Sequence, residues 1–521
     1  MTVRFLVAPV VFICLCISSC KEYHRNKSYA HVTTSSIKKG KVLAEKYCQS
    51  CHLFPDPSFA DAKTWNDGIL PSMGPRLGIF EYNFRDYPSS RNDKNLEGNM
   101  YPAKPLLSAD EWQHVIDYFT ATAPDSLPLQ SRSQPIKEGL PFFNALIPPI
   151  TATGPAVSFV KIDTSQNEHL LLYDLVTQAA YRFNNQLQLA DSLAIGGCIV
   201  NVEEGEGRLL TCNIGNINPN NGKYGRAQYL NMASGKMQLD TAVVLTNLER
   251  PVQITPADLN RDGRTDYVAC EFGFVTGSLS WYENTGTNQF RKHVIKAVPG
   301  AIRAIVRDDN KDGLPDLWVL FAQGDEGVSL FTNKGAGRFE EKQVLRFPPV
   351  YGSTYFEFAD FNKDGYPDIV YTCGDNADYS QVLKPYHGIY IFLNDGKNNF
   401  RQKFFFPING CYKAIARDFD VDGDLDIATI SFFADYARQP EEGFVFLENR
   451  GAFNFQPYTF PESKQGRWLT MDAADLNGDG LIDLVLGNFS IGPKMMTSET
   501  DWKKGPAFIF LQNTISRQRK Y

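Results

Sequence analysis

Five short acidic segments carry the side chains best suited to bind a metal ion. Each follows the pattern Asp-x-Asn/Asp-x-Asp-Gly-x-x-Asp, with oxygen-bearing side chains at positions 1, 3, 5 and 9. Calcium prefers six to eight oxygen ligands at about 2.3–2.6 Å, and a tight loop can direct alternate side chains towards one point. The pattern therefore predicts about five Ca²⁺ ions. The predicted side-chain ligands are Asp258, Asn260, Asp262 and Asp266; Asp308, Asn310, Asp312 and Asp316; Asp360, Asn362, Asp364 and Asp368; Asp418, Asp420, Asp422 and Asp426; and Asp475, Asn477, Asp479 and Asp483.

These segments are not EF-hands. An EF-hand loop needs a bidentate Glu at its twelfth position. Strand-like residues follow each segment instead, such as DYVAC after the first copy and DLVLG after the last. The twelfth positions hold Ala269, Val319, Tyr371, Thr429 and Leu486.

The spacing of the acidic segments predicts the architecture that positions them. Successive copies begin at residues 258, 308, 360, 418 and 475, and these intervals suit one four-stranded propeller blade. Most units end in an apolar strand, an Asn/Gly turn and an aromatic residue, which indicates a β-hairpin. Two degraded copies begin near Ile162 and Val202. The sequence therefore predicts a mainly β fold, a seven-bladed β-propeller with calcium-binding loops.

This repeat resembles the FG-GAP and VCBS-repeat propellers of the integrin α type, over residues 150–521. The resemblance implies the propeller fold and calcium bound for structural reasons. Because one fold hosts many functions, it implies little about what the protein does.

A second set of reactive side chains lies upstream, in the sequence Cys48-Gln49-Ser50-Cys51-His52. Two thiols at this spacing can bond covalently to the two haem vinyl groups, and the adjacent histidine can then bind the iron. A zinc site and a redox dithiol are the alternatives. A zinc site would need more thiols or imidazoles nearby than this segment offers.

Two predicted helices flank the motif. Residues 37–47 form an amphipathic pattern that leads into it, and residues 108–122 form a second one. Ser108 and Glu111 have the spacing of a capping box. Residues 36–124 thus resemble a class I cytochrome c, a small all-α domain. The resemblance implies one covalent haem c and a contact between Gly40 and an aromatic residue of the closing helix, either Tyr118 or Trp112.

The sixth iron ligand has two candidates. Met100 lies just before the closing helix, where the class I pattern places its methionine, and Met73 lies 21 residues after His52. Either methionine could instead fill a gap against the haem or the core. Pro75 lies in a segment resembling the one whose proline carbonyl orients the proximal histidine, which makes it a candidate for that hydrogen bond.

The N-terminus predicts the compartment. Arg4 precedes the apolar run 5–17, which is too short to span a bilayer, and small residues lead to Cys20. This resembles a bacterial lipoprotein signal and implies that Cys20 carries the lipid; an ordinary signal peptide cut elsewhere is the alternative. We expect an extracytoplasmic, lipid-anchored protein at the outer membrane, on its periplasmic or its outer side. The predicted divisions are a signal peptide (1–19), a tether (20–35), the cytochrome-like domain (36–124), a Pro-rich linker (125–149) and the propeller (150–521).

Charge and cysteine content narrow the function. The net charge is −7, and five Ca²⁺ ions would more than offset it, so no basic surface for nucleic acid is predicted. Five cysteines remain outside the motifs described above. They are expected to be buried thiols, or to include one local disulfide, for which Cys198–Cys212 is the only candidate. These cysteines are Cys198, Cys212, Cys270, Cys373 and Cys411.

The propeller face opposite the acidic loops is predicted to bind a partner, because the repeats differ most there, in residues 374–388, 434–443 and 488–505. No catalytic Ser/His/Asp, Cys/His or paired-carboxylate set stands out. The sequence therefore favours an electron-transfer protein whose propeller docks a redox protein, a small molecule or a glycan. A propeller oxidoreductase that reduces the haem, and a surface binding or adhesion lipoprotein, are the alternatives.

Overall fold

The computed structural model describes residues 25–96, 98, 100–149, 154–164, 169–233, 235–287, 289–377, 382–492 and 501–515. Cys20 and the predicted signal peptide lie outside these residues. None of the helices in the described ranges has both the length and the apolar composition needed to cross a bilayer.

Residues 25–124 form a helical domain around two fourteen-residue helices. Thr33 caps the first helix through Ser36 N, and Ser108 and Glu111 form the predicted capping box on the last. Both predicted long helices are thus confirmed. A short hairpin of strands β1 and β2 also belongs to this domain, so the expectation of an all-α domain was too simple. The elements are α1 (Thr34–Tyr47), α2 (Ala62–Thr64), α3 (Leu70–Met73), β1 (Glu81–Tyr82), β2 (Arg85–Asp86) and α4 (Ala109–Thr122), with 3-10 turns at Lys27–Tyr29, Pro57–Phe59 and Gly74–Leu77 and a π-helical turn at Trp65–Ile69.

Helices α1 and α4 touch at Gly40. A Cβ atom on Gly40 would lie 1.8 Å from the carbonyl oxygen of His114 and 2.8 Å from Cβ of Tyr118. The predicted contact of Gly40 with a closing-helix aromatic is therefore confirmed for Tyr118. Trp112 is buried elsewhere in the same core, where its indole N–H donates to the Tyr87 hydroxyl at 3.1 Å.

Gly40→Ala should destabilise the helical domain. Alanine at an exposed helix position would gain about 1 kcal/mol over glycine. Here the methyl group must push two packed backbones apart, and we expect a net loss of at least about 2 kcal/mol. Thermal unfolding of the full chain measures this. Val42→Ala, at a position 64% exposed on the same helix, is the control and should change stability by less than about 0.5 kcal/mol. Equal stability of the two variants would contradict the contact.

Seven antiparallel sheets form the propeller, as predicted. Each acidic segment connects the first and second strands of its blade. The strands of blades 1–4 are β5–β8 (Val157–Asp163, His169–Asp174, Ala179–Asn184, Leu189–Ala194), β9–β12 (Ile199–Gly205, Arg208–Asn213, Gly225–Ala233, Lys236–Leu248), β13–β16 (Pro251–Ala257, Asp266–Glu271, Ser278–Asn284, Phe290–Lys296) and β17–β20 (Ala301–Arg307, Asp316–Phe321, Gly327–Asn333, Phe339–Arg346). Those of blades 5–7 are β21–β24 (Ser353–Ala359, Asp368–Cys373, Gly388–Asn394, Phe400–Pro407), β25–β28 (Cys411–Arg417, Asp426–Ser431, Phe444–Asn449, Phe455–Thr459) and β29–β31 (Trp468–Ala474, Asp483–Asn488, Phe508–Asn513).

The segment predicted to be a linker closes the propeller. Strand β4 (Phe143–Leu146) pairs antiparallel with β31 as the fourth strand of blade 7, and β3 (Lys137–Glu138) extends blade 6. The predicted boundary at residue 150 is therefore wrong. The physical reason is that β31 would otherwise present an unpaired edge, and a strand from outside the repeats covers it.

The ring is also closed at its centre. The backbone N–H of Ile162 in blade 1 donates to Asp472 Oδ2 in blade 7 at 2.8 Å. In the same way, the backbone N–H of Ala304 in blade 4 donates to Oε1 of Gln253 in blade 3 at 2.6 Å. Polar side chains of the innermost strands thus join each of these blades to the next one around the centre of the ring.

Candidate functional site

The two thiols and the imidazole of the Cys-x-x-Cys-His motif lie where α1 ends. Cys48 follows the last residue of the helix, and its backbone N–H donates to Ala44 O at 2.8 Å. Cys51 is exposed, Cys48 is half-buried, and neither forms a disulfide. Both thiols are therefore free to bond to a ligand that lies against the helical core.

His52 is oriented as a metal-binding histidine would be. Its Nδ1 lies 2.8 Å from the carbonyl oxygen of Leu53. Because a carbonyl only accepts, Nδ1 must be the donor in this contact, which leaves Nε2 as the ring nitrogen for a metal ion. Metal-binding histidines typically donate from one ring nitrogen to a carbonyl and bind the metal through the other.

The predicted hydrogen bond from His52 to Pro75 is not formed in this conformation. The carbonyl oxygen of Pro75 instead accepts from Gly78 N at 2.9 Å and helps to end the 3-10 turn at Gly74–Leu77. Leu53 takes the place that the sequence assigned to Pro75.

The electrostatics of Cys48 argue against a redox dithiol. Burial, and then the neighbouring Cys51, raises the pKa of the Cys48 thiol to about 12. Thiol–disulfide exchange requires a thiolate, and oxidoreductase cysteines have lowered pKa values. Cys48 is therefore a poor nucleophile at neutral pH.

The core of the helical domain has a half-buried apolar margin. Tyr47, Cys48, Phe54, Met73 and Leu77 all pack against this core without being fully covered. A flat apolar group such as a porphyrin would find partners on these side chains. The donor set and its apolar surroundings thus fit haem c.

The two methionine candidates differ in their surroundings. Met73, the last residue of α3, packs against the same core cluster as Cys48. Met100 is 39% exposed on a loop. Met73 is therefore the more buried of the two thioethers.

The five acidic loops share one backbone geometry. In each loop, the first Asp accepts a hydrogen bond from the N–H of the Gly five residues later, at 2.7–3.1 Å. The Asp at position 5 accepts from the N–H two residues later at 2.8–2.9 Å. The Gly residues have positive φ, as the sharp turn requires. The carboxylates at positions 1 and 5 are thereby held on one tight turn.

The ninth residue of each loop has a structural task that the sequence did not reveal. This Asp is fully buried, and its two oxygens accept from the N–H of loop residue 2 and from the N–H of the Asn that ends the third strand of the blade. In blades 3–6 this Asn belongs to the Asn/Gly turns noted above, and only the register shows that these turns meet the loops. These Asn residues are Asn284, Asn333, Asn394, Asn449 and Asn513.

The loop of blade 6 concentrates the most negative charge. One carboxylate oxygen each of Asp418, Asp420 and Asp422 lie within 4.8 Å of one another, and Oδ1 of Asp418 is buried without a hydrogen-bond donor. Burial, and then the charge of Asp422, raises the pKa of Asp420 to about 6. Burial also raises the pKa of Asp426 to about 8. Clustered carboxylates with raised pKa values are the arrangement that a bound divalent cation would neutralise.

The helical domain sits on the propeller face opposite the acidic loops, which we call the long-loop face. The ring of Phe59 meets the rings of Tyr351 and Tyr386 edge-on, with centroids 5.9 and 5.6 Å away. The Tyr386 hydroxyl donates to the carbonyl oxygen of Phe59 at 2.9 Å, and Val350 packs against the helical core. This face was predicted to bind a partner, and the chain's own N-terminal domain covers part of it.

A second contact shows how far the domain extends. Asn221, between β10 and β11 of blade 2, donates to Asp93 Oδ2 at 2.8 Å. Tyr386 belongs to blade 5, three places away in the ring of seven. The helical domain therefore reaches across the mouth of the central channel.

The segment between the domains is fastened to the same face. The guanidinium of Arg132 donates to Glu442 Oε1 at 2.6–2.7 Å, and both side chains are almost fully buried. Asn409 Nδ2 donates to Glu442 Oε2 at 3.0 Å. Burial raises the pKa of Glu442 to about 7, although Arg132 opposes this shift. Loss of one partner would leave a buried charge unpaired, so this pair fixes the path of the segment.

The five propeller cysteines are buried free thiols, including the disulfide candidates Cys198 and Cys212. Burial raises the pKa of Cys198 to about 11 and that of Cys411 to about 12, with no sign of reactive thiolates.

Residues 308–371 match the family model of the FG-GAP-like repeat. The match runs from the acidic loop of blade 4 into the second strand of blade 5, and it includes the acidic loops of both blades. The chain therefore contains an FG-GAP-like repeat within a seven-bladed propeller, as the sequence predicted.

Among curated proteins, the chain is similar to cartilage acidic protein 1 of Xenopus tropicalis. The two are 31% identical over 183 residues, which cover 32% of this chain and 26% of that protein. The chain thus spans about a quarter of the length of this relative.

Among solved structures, the chain is similar to three proteins at low identity. The N-terminal domain of Nup159 is 11% identical with a TM-score of 0.41, over 73% of this chain and 98% of that one. Sqt1 of Saccharomyces cerevisiae is 11% identical with a TM-score of 0.39, over 69% and 84%. The Dos1 propeller is 9% identical with a TM-score of 0.36, over 69% and 78%.

Proposed function

We propose that this chain is an extracytoplasmic, lipid-anchored c-type cytochrome that transfers electrons, and that its calcium-stabilised propeller holds the haem domain in place. The observation that carries the proposal is the arrangement at the end of α1. Two free thiols, Cys48 and Cys51, precede His52, whose Nδ1 donates to the Leu53 carbonyl and leaves Nε2 for the iron.

Haem c, when bound there, supplies a centre that accepts and releases one electron. Cys48 and Cys51 would hold it covalently, and His52 Nε2 would be its proximal ligand. The apolar side chains of Tyr47, Phe54 and Leu77 would exclude water from one side of it. Lower water access raises the reduction potential of such a centre.

Calcium in the acidic loops would act on the scaffold. The loops lie on the face away from the helical domain, so the ions would be remote from the electron-transfer site. Asp418, Asp420 and Asp422 are the clearest ligand set, because their oxygens converge and one is buried without a donor. The scaffold in turn seats the helical domain through Phe59, Tyr351 and Tyr386.

The test of electron transfer is a reversible redox wave. Protein purified from a host that assembles c-type cytochromes should show one one-electron wave per chain in film voltammetry, with matching spectral changes of the haem. A preparation with covalent haem but no reversible wave would contradict the proposal. Reduction of the haem only when a substrate is added would instead support the propeller oxidoreductase.

A surface binding or adhesion role is the second candidate, favoured by the FG-GAP-like repeat itself, a fold compatible with ligand or partner binding. A glycan and matrix-protein binding screen separates the two. Specific binding that persists in a haem-free Cys51→Ser variant would favour adhesion.

We propose Met73 as the sixth iron ligand. Met73→His should lower the reduction potential strongly and abolish the methionine–iron absorption band at the red end of the spectrum, because imidazole donates more strongly to ferric iron than a thioether. Met100→His is the matched control and should change neither property. The opposite pattern would assign the ligand to Met100.

The anchor is the remaining part of the proposal. A lipid on Cys20 would attach the chain to the outer membrane through the segment that ends at Asn26. The partner in electron exchange would then be a redox protein of the same compartment.

A further inference from the structure

The hairpin of strands β1 and β2 carries an unusual turn. Its two central residues, Asn83 and Phe84, have φ angles of 49° and 60°. Such a turn suits Asn-Gly, because a side chain is strained in this left-handed conformation. Phe84 is bulky there, and its ring is fully exposed to solvent. Stability gains nothing from a strained and exposed aromatic ring, and strain of this kind is concentrated at functional sites.

The start of the described chain is fixed to the helical domain. Asn26 is fully buried, its N–H donates to Ala121 O at 2.8 Å, and its side chain donates to Ala123 O at 3.0 Å. Cys20 is six residues earlier, and six extended residues span at most about 20 Å. A lipid on Cys20, as in the proposed function, would hold the helical domain within that distance of the bilayer surface.

The hairpin and this attachment point lie near each other. Arg85 in the hairpin donates to the carbonyl oxygen of Asp67 at 2.7 Å. Asp67 in turn lies close to Tyr29, three residues after Asn26, since burial and then the charge of Asp67 raise the pKa of Tyr29. Asp67 therefore contacts the hairpin and interacts electrostatically with Tyr29, near the start of the described chain.

The surroundings of the hairpin are exposed and carry both charges, with Glu81 and Asp86 on the hairpin beside the basic side chains. Lys63, which pairs with Asp67, is 83% exposed, and Arg85 is 48% exposed. Arg25 and Lys27 are exposed beside the tether. Basic side chains near a bilayer are attracted to anionic headgroups, and aromatic rings favour the boundary between headgroups and acyl chains.

We propose that Phe84 is a membrane-contact residue, which inserts its ring into the headgroup boundary of the membrane that anchors Cys20 and so orients the helical domain on that surface. The inference rests on the proposed lipid anchor. Its ligand is a bilayer that contains anionic phospholipid.

Fluorescence quenching tests this contact. Phe84→Trp and Val42→Trp are made in the acylated full chain, and the purified proteins are reconstituted in vesicles of phosphatidylethanolamine and phosphatidylglycerol with brominated acyl chains. Val42 is the control because it is also exposed, at 64%, but lies on α1. We expect quenching of the added tryptophan at position 84 and none at position 42, each relative to the wild-type chain. Equal quenching, or none at either position, would overturn the proposal.

A second variant separates membrane contact from folding. Phe84→Gly should raise the melting temperature, because glycine suits the left-handed turn. In an unacylated Cys20→Ala chain it should also weaken residual binding to the same vesicles about fivefold or more. Unchanged vesicle binding would overturn the contact while leaving the anchor intact. If the acylated wild-type chain fails to remain with vesicles, both the anchor and the inference fail.

Discussion

Removal of calcium should lower the melting temperature of the propeller by about 15 °C. An ion that binds only the folded loop stabilises it by about 2.7 kcal/mol at a hundredfold excess over its Kd, and five loops are spread over five adjacent blades. The summed stabilisation by the five ions, divided by the unfolding entropy of a domain of this length, gives a shift of the melting temperature of that size. Circular dichroism of the full chain measures the propeller, and haem absorbance reports on the helical domain in the same sample.

The haem spectrum below the transition should be unchanged by chelation, because the acidic loops lie on the far face of the propeller from the helical domain. The account fails if the metal-free protein melts at the same temperature, or if elemental analysis finds no calcium.

Asp420 allows a matched test of one loop. Asp420→Ala removes a ligand and should abolish part of the calcium-dependent stabilisation. Asp420→Asn should retain most of it, because the other four loops have Asn at this position. Burial and Asp422 raise the pKa of Asp420 to about 6, so its ionised form costs stability in the metal-free protein as pH rises through that value. Metal-free Asp420→Asn should therefore be more stable than the metal-free wild type at pH 8.

Cys51→Ser should abolish stable haem attachment. One of the two thioether bonds would be lost, and Cys48 alone would have to hold the haem. Haem stain after denaturing electrophoresis, from a host that assembles c-type cytochromes, measures covalent attachment. Cys198→Ser is the control, because this free thiol is buried in the propeller, and its variant should stain like the wild type. Full covalent stain in Cys51→Ser would contradict the assignment of the motif.

The sequence predicted the fold correctly where a motif repeats along the chain or lies within a few neighbouring residues. The acidic loops give the blade period, and two degraded copies bring the number of predicted blades to seven. The capping box of Ser108 and Glu111 marks the start of α4. The resemblance to class I cytochromes c predicted the contact of Gly40 with α4, and the structure explains it, because so close a helix contact needs the smallest residue.

Other features depend on residues far apart in the chain. Strand β4 is four residues in a Pro-rich stretch and becomes a strand only because β31 offers an unpaired edge. The contact of Phe59 with Tyr386 joins positions 327 apart, and no local pattern announces it. The paired roles of the ninth-position Asp and the hairpin Asn likewise appear only when the strands are in register.

These long-range contacts change which surfaces could bind a partner. The long-loop face is not a free surface, since the helical domain and the Arg132–Glu442 pair occupy part of it. A docking partner must therefore approach the exposed sides of the helical domain or the remaining loops. In the proposed function, the propeller would hold the domain that carries Cys48, Cys51 and His52.

The most direct test of this account is the intact mass and spectrum of the full chain made in a host that assembles c-type cytochromes. The account predicts the mass of one covalent haem per chain, mapped by proteolysis to the peptide containing Cys48 and Cys51, with the narrow reduced α-band of a c-type cytochrome. The unmodified mass, with zinc or a disulfide at Cys48 and Cys51, would contradict it.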